Sequence, residues 1–178
     1  MNPLELIEVH YPLGTKRRYI LEAHGRDVAT KALALAQRHP EMQLDLHFIE
    51  EAAILHDIGI FLCEAPDIDC YGKADYICHG YLGAELLRQA GYPRHALVCE
   101  RHTGTGLSLA HILKKNLPIP HREMMPVTLE EQLICFADKF FGKLQIGQEK
   151  SLARIHTALA RHGEEAIERF TYWCGLFG

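Results

Sequence analysis

The chain has 178 residues, 48% of them hydrophobic and 24% charged, which is enough for one globular domain with a substantial core. That composition excludes disorder, collagen and a disulfide miniprotein. The net charge of −4 and the scattered cations argue against duplex nucleic acid as a partner. No apolar run reaches the roughly 18 residues of a membrane span, and the acidic start MNPLELIEVH lacks the basic residues of a targeting peptide, so a cytoplasmic chain with no membrane partner is expected.

The apolar residues recur with a helical period throughout, with no sustained two-residue alternation and no Asn-Gly hairpin signal, which predicts an all-α fold. After a short first segment, Tyr11-Pro12-Leu13-Gly14 makes a turn. Thr15 then caps a long helix to about His39, closed by Pro40. Asp45 caps a second helix ending near Gly59. Residues 60–76, with Pro66, several aspartates and Gly72, read as a long loop. Helices are predicted from His79 to Ala90, stopped by Gly91, from Pro93 to Thr103, broken by Gly104-Thr105-Gly106, and over 108–116. A proline-containing loop, 117–126, follows. Thr128 and Glu131 form a capping box that opens a helix to about Phe141, and two further helices, 149–162 and 164–173, flank Gly163. The six cysteines have no metal-knuckle or disulfide spacing and read as buried thiols.

Polar residues stand at three expensive places. Asp138 has Ile134 and Phe141 one turn away, so its carboxylate points into an apolar stripe and needs a cation, a metal or strong donors, an arginine salt bridge among them. His24 lies between Ile20 and Val28 on the packed side of its helix, where a satisfied core histidine is the plain alternative. Asp57, beside His56 in Ile54-Leu55-His56-Asp57-Ile58-Gly59, ends a helix against the sign of its dipole, so a positive group should compensate it. These imidazoles and carboxylates suit a divalent transition metal, provided that the helices converge.

His24, then His56-Asp57-Ile58-Gly59, then Asp138 resembles the H…HD…D signature of the HD-domain superfamily, over about residues 15–145. The resemblance implies a single-domain HD-type helical bundle over 1–178, with the helices of 146–178 packed on the motif-bearing core. His79, in Cys78-His79-Gly80, and His102, in Arg101-His102-Thr103-Gly104, match the dinuclear branches of the superfamily. By that resemblance Asp57 bridges two metals, His24, His56 and Asp138 complete one site, and His79 and His102 hold the other. Taken singly, each of these last two is equally a capping or surface histidine. The stretches HDIGIF and Thr103-Gly104-Thr105-Gly106 depart from the HD-GYP pattern, so cyclic di-GMP is not the expected substrate. Ile60 stands where the bacterial diadenosine tetraphosphate hydrolases carry a basic residue, and that substrate is not assigned either.

The resemblance implies a metal-dependent phosphohydrolase acting on a nucleotide or other small phosphate ester, with one or two divalent ions. Mixed imidazole and carboxylate ligation suits iron, manganese, cobalt, nickel or zinc, with availability in the cell deciding among them and iron or manganese favoured. Asp57 is then a catalytic residue, and Lys73 and Arg101, with Lys139, are the cations nearest the motifs in sequence for holding phosphate. Their plain alternative is a solvated or salt-bridged surface role. Two other readings use the same residues: a di-iron HD-domain oxygenase that cleaves a C–C or C–P bond, and a non-catalytic metal-binding regulatory domain. The apolar C-terminal helices, with Trp173 and Phe177, pack on the core or form a homodimer.

Overall fold

The computed structural model describes residues 2–178. Among these residues, nine α-helices run in chain order: α1 (Glu5–His10), α2 (Lys16–Arg38), α3 (Leu46–Leu55), α4 (His79–Gln89), α5 (Pro93–Arg101), α6 (Leu109–Lys115), α7 (Leu129–Asp138), α8 (Leu152–Leu159) and α9 (Glu164–Phe177). The fold is all-α, and no described helix is long and apolar enough to cross a membrane.

The helix starts follow local chemistry. Thr15, Asp45, Ser108, Thr128 and Ser151 each accept a hydrogen bond from the backbone N–H three residues on, satisfying one of the free donors of a first turn. At α7 the capping box is only half reciprocal. Glu131 turns its carboxylate to the N–H of Val127, 2.8 Å away, and to Arg101, 2.9 Å away, rather than to the N–H of Thr128.

Helix ends depart further from expectation. The helix expected to reach Gly59 stops at Leu55, so His56 and Asp57 sit on the turn beyond α3. The one expected to reach Phe141 stops at Asp138. The stretch expected as a plain loop, 60–76, holds 3₁₀ turns and a two-stranded antiparallel sheet, β1 (Glu64–Ala65) and β2 (Cys70–Tyr71). Buried Ile60, Cys63, Ile68 and Cys70 pin that segment to the body, and Asp69 turns between the strands with φ +61°. Strands of two residues are too short to carry a readable period.

Three apolar clusters share the interior. The largest joins α2, α3, α7, α8 and α9 and includes Ile49, Phe136, Phe170, Trp173 and Phe177. The second joins α1, the start of α2, α4 and α5 around Tyr11, Leu21, Leu55 and Leu87. The third gathers Cys63, Cys78, Leu107, Ile119 and Met124 around Ile112 of α6. α9 thus packs on the bundle, and the Trp173 indole N–H donates to Gln132 Oε1 at 3.0 Å. All six cysteines are free, and five are buried.

Candidate metal centre

Six polar residues are buried together where α2, α4, α5, α7 and the turn after α3 meet. His24 projects from the middle of α2, His56 and Asp57 from the turn after α3, and His79 from the first residue of α4. His102 caps the end of α5, and Asp138 is the last residue of α7. Their side chains are at most 11% exposed.

Asp57 stands at the centre, and its two oxygens face different partners. Oδ2 lies 3.3 Å from His24 Nε2 and 3.0 Å from His56 Nε2. Oδ1 lies 3.3 Å from His79 Nε2 and 3.4 Å from His102 Nε2. Asp138 Oδ1 closes the first group, 3.0 Å from His24 Nε2 and 3.4 Å from His56 Nε2.

The outer nitrogens of three rings are fixed. Nδ1 of His56, His79 and His102 lies 2.6, 2.6 and 2.7 Å from the carbonyls of Ala53, Tyr76 and Cys99. A carbonyl only accepts, so each Nδ1 carries a proton, and in the neutral ring Nε2 turns a lone pair inward. This is the arrangement that orients metal-binding imidazoles. It leaves His79 Nε2 facing His102 Nε2 at 3.0 Å, an arrangement that requires one proton or a cation between them.

His56 Nε2 and Asp57 Oδ1 are buried and make no hydrogen bond, a cost of a few kcal/mol if left uncompensated. The residues therefore fit a cation. His24, His56 and Asp138 form one group, and His56, Asp57 and His102 another, whose ligand atoms all lie within 4.8 Å of each other. Without a metal, protons carry the compensation. Burial opposes a charge on His56, but the carboxylates of Asp57 and Asp138 outweigh it and push its pKa up to about 10. Burial holds His102 down at about 4. Burial also works against ionised Asp57 and Asp138, yet His56 and Lys143 beside the first, and Lys139 and the two histidines beside the second, keep both well below the usual carboxylate range.

Lys143 is the positive group that Asp57 demands. Its Nζ lies 2.6 Å from Asp57 Oδ2, and Lys139 Nζ lies 2.7 Å from Asp138 Oδ2. Lys143 was not singled out in the sequence, because it lies beyond the helix that carries Asp138, where no period applies. The other cations chosen by proximity in sequence go elsewhere. Lys73 is exposed on the segment after β2, and Arg101 is drawn to the buried Glu131 carboxylate. Neither lines the cavity over the centre, whereas Lys139 and Lys143 do. Tyr76, also unforeseen, stacks its ring on His79 with centroids 4.7 Å apart.

Gly59 explains the end of the tetrapeptide. A Cβ there would lie 2.2 Å from the His79 carbonyl and 2.5 Å from the Gly83 nitrogen, so the turn and α4 touch backbone to backbone. That contact brings His79 against Asp57.

The chain is similar in sequence to several known proteins. An uncharacterized protein of Methanocaldococcus jannaschii is 31% identical over 138 residues, covering 72% of this chain and 74% of its own length. A tRNA (cytidine(56)-2'-O)-methyltransferase of Thermoplasma volcanium is 29% identical over 120 residues, covering 67% of this chain but 31% of that protein. Its counterpart in Picrophilus torridus is 30% identical over 109 residues, covering 61% of this chain and 28% of that protein. No solved structure matches. The HD domain family matches residues 21–142, a span that contains all six clustered residues, and the chain belongs to that family.

Proposed function

We propose that this chain is a metal-dependent phosphohydrolase acting on a nucleotide or other small phosphate ester. The observation that carries the reading is Asp57, whose two oxygens face two separate imidazole groups across a buried centre. In this reading His24, His56, Asp138 and Asp57 Oδ2 hold one ion, and His79, His102 and Asp57 Oδ1 the other. Bound divalent ions would lower the pKa of water from about 15.7 to near 7 and neutralise charge on phosphoryl oxygens.

The chain's own groups do the rest. Ala53, Tyr76 and Cys99 lock three imidazoles with Nε2 inward. Lys139 and Lys143 keep the two carboxylates ionised and border the cavity, so their ammonium groups can also donate to a phosphate. The Tyr76 ring holds His79 from the solvent side.

The test begins with metal per chain, by elemental analysis of protein purified without chelator or tag histidines. Phosphate release and oxygen uptake are then followed side by side on a panel of nucleotides and simple phosphate esters. Fragments of tRNA belong in that panel because two relatives are tRNA methyltransferases. Close to two ions and metal-dependent phosphate release are expected. Substrate-dependent oxygen uptake without phosphate release would replace the reading with the oxygenase, and stoichiometric metal with neither reaction would replace it with a regulatory domain.

A further inference from the structure

The cavity over the centre has a volume of about 480 Å³ and is walled in part by residues beyond the family match, which ends at 142. α8 is amphipathic and buries Ile155 and Leu159 in the main apolar cluster. The 3₁₀ turn that follows it, Ala160–His162, is thereby carried to the mouth of the cavity. His162 packs over Gly104, where a Cβ would come within 3.4 Å of its ring. Arg161 and His162 also border the second opening, the one that reaches His79 and His102.

The charges around this space are unequal. Lys139 and Lys143 are already matched by Asp138 and Asp57, and Lys150 donates to the carbonyls of Phe141 and Lys139. Arg161 has no acidic partner among the described residues, and its Nε donates only to the Ala158 carbonyl at 3.3 Å. His162 is held below its ordinary pKa by burial and by Lys139, His111 and Arg161. Arg161 is exposed at the rim of a cavity that Asp67 also lines, and with a single phosphate at the centre its guanidinium would still have no ion-pair partner among the described residues. A guanidinium suits a phosphate because its fork donates two parallel hydrogen bonds.

We infer that Arg161, with His162 beside it, reads a second phosphate of the substrate, so that the substrate is a phosphate ester bearing two phosphate groups, one at the centre and one at the cavity mouth. This rests on the phosphohydrolase reading and adds the substrate class. Arg161 is a specificity-determining residue in this scheme. It is set by a segment outside the family match.

Binding by calorimetry to the metal-loaded full chain tests it, with inorganic phosphate, adenosine 5′-monophosphate and adenosine 3′,5′-bisphosphate as probes. Wild type, Arg161→Ala, Arg161→Lys and Asp57→Asn are compared. The bisphosphate is expected to bind at least about tenfold more tightly than the monophosphate. Arg161→Ala should abolish that advantage while changing monophosphate affinity less than about twofold, and Arg161→Lys should restore part of it. Equal binding of the two nucleotides by wild type, or an advantage that survives Arg161→Ala, overturns the inference. Failure of inorganic phosphate to bind, or equal binding by wild type and Asp57→Asn, instead overturns the phosphohydrolase reading beneath it.

Discussion

Replacing Gly59 by alanine tests the link between the tetrapeptide and the centre. The new Cβ would lie 2.2 Å from the His79 carbonyl oxygen and 2.5 Å from the Gly83 nitrogen, both backbone atoms of α4 that no rotamer change can move aside. Opening these contacts to an ordinary distance of roughly 3.4 Å requires α4 to retreat by about 1 Å, and overpacking of this kind costs about 1–3 kcal/mol. For a chain of this length that corresponds to a fall in Tm of roughly 3–10 °C. His79 is the first residue of α4, and its Nε2 lies 3.3 Å from Asp57 Oδ1, so it moves with the helix. The His24, His56 and Asp138 group lies on other elements and should keep its ion. Gly59→Ala should therefore melt earlier, lose about one ion per chain and lose roughly 10²-fold in activity, the usual cost of a 1 Å misplacement. Gly175→Ala is the control, because a Cβ there meets nothing within 4 Å inside α9, and the exchange should stabilise by up to about 1 kcal/mol. Calorimetric melting and elemental analysis read the outcome. A Gly59→Ala protein with the wild-type Tm and metal content would refute the reasoning.

Further outcomes follow from the same geometry. Asp57→Ala should lose both ions and all activity, and His102→Ala chiefly one ion; equal metal content in wild type and Asp57→Ala would sink the ligand assignment. In the metal-free protein the raised pKa of His56, about 10 against an ordinary 6.5, contributes stability that is full below about pH 6.5 and lost as pH rises through 10. A divalent ion takes over that role, so titrating it into metal-free protein at pH 8 should release protons, seen as a dependence of the calorimetric heat on buffer ionisation enthalpy. No such dependence would mean that His56 binds metal already neutral. Tyr11 is fully buried and donates its hydroxyl to the Ile58 carbonyl at 2.7 Å, directly behind Asp57. Tyr11→Phe leaves that carbonyl unpaired and should cost about 1–3 kcal/mol in urea unfolding; a change below about 0.5 kcal/mol would show that water satisfies it.

The features legible in the sequence are those whose cause lies within a turn or two of the chain. Thr15, Asp45 and Thr128 are read as helix starts because a side-chain oxygen and a free N–H three residues on are all that a cap needs. His24 and Asp138 stand out because a polar group on an apolar helical face is costly whatever packs against it. The 60–76 segment was not legible in the same way: its strands hold two residues each, and its order comes from Cys63, Ile68 and Cys70 docking on distant helices.

The choice of cations shows the limit most clearly. Lys73 and Arg101 stand near the motifs along the chain, yet one faces solvent and the other answers the buried charge of Glu131. Lys143 serves Asp57 from 86 positions away along the numbering. Local propensity reaches only to the fourth neighbour, so it names helices and flags residues that need a partner. Which partner arrives depends on long-range packing that brings His24 to Asp138 across 114 residues, where burial raises the cost of any unmatched charge and only a through-space neighbour can meet it.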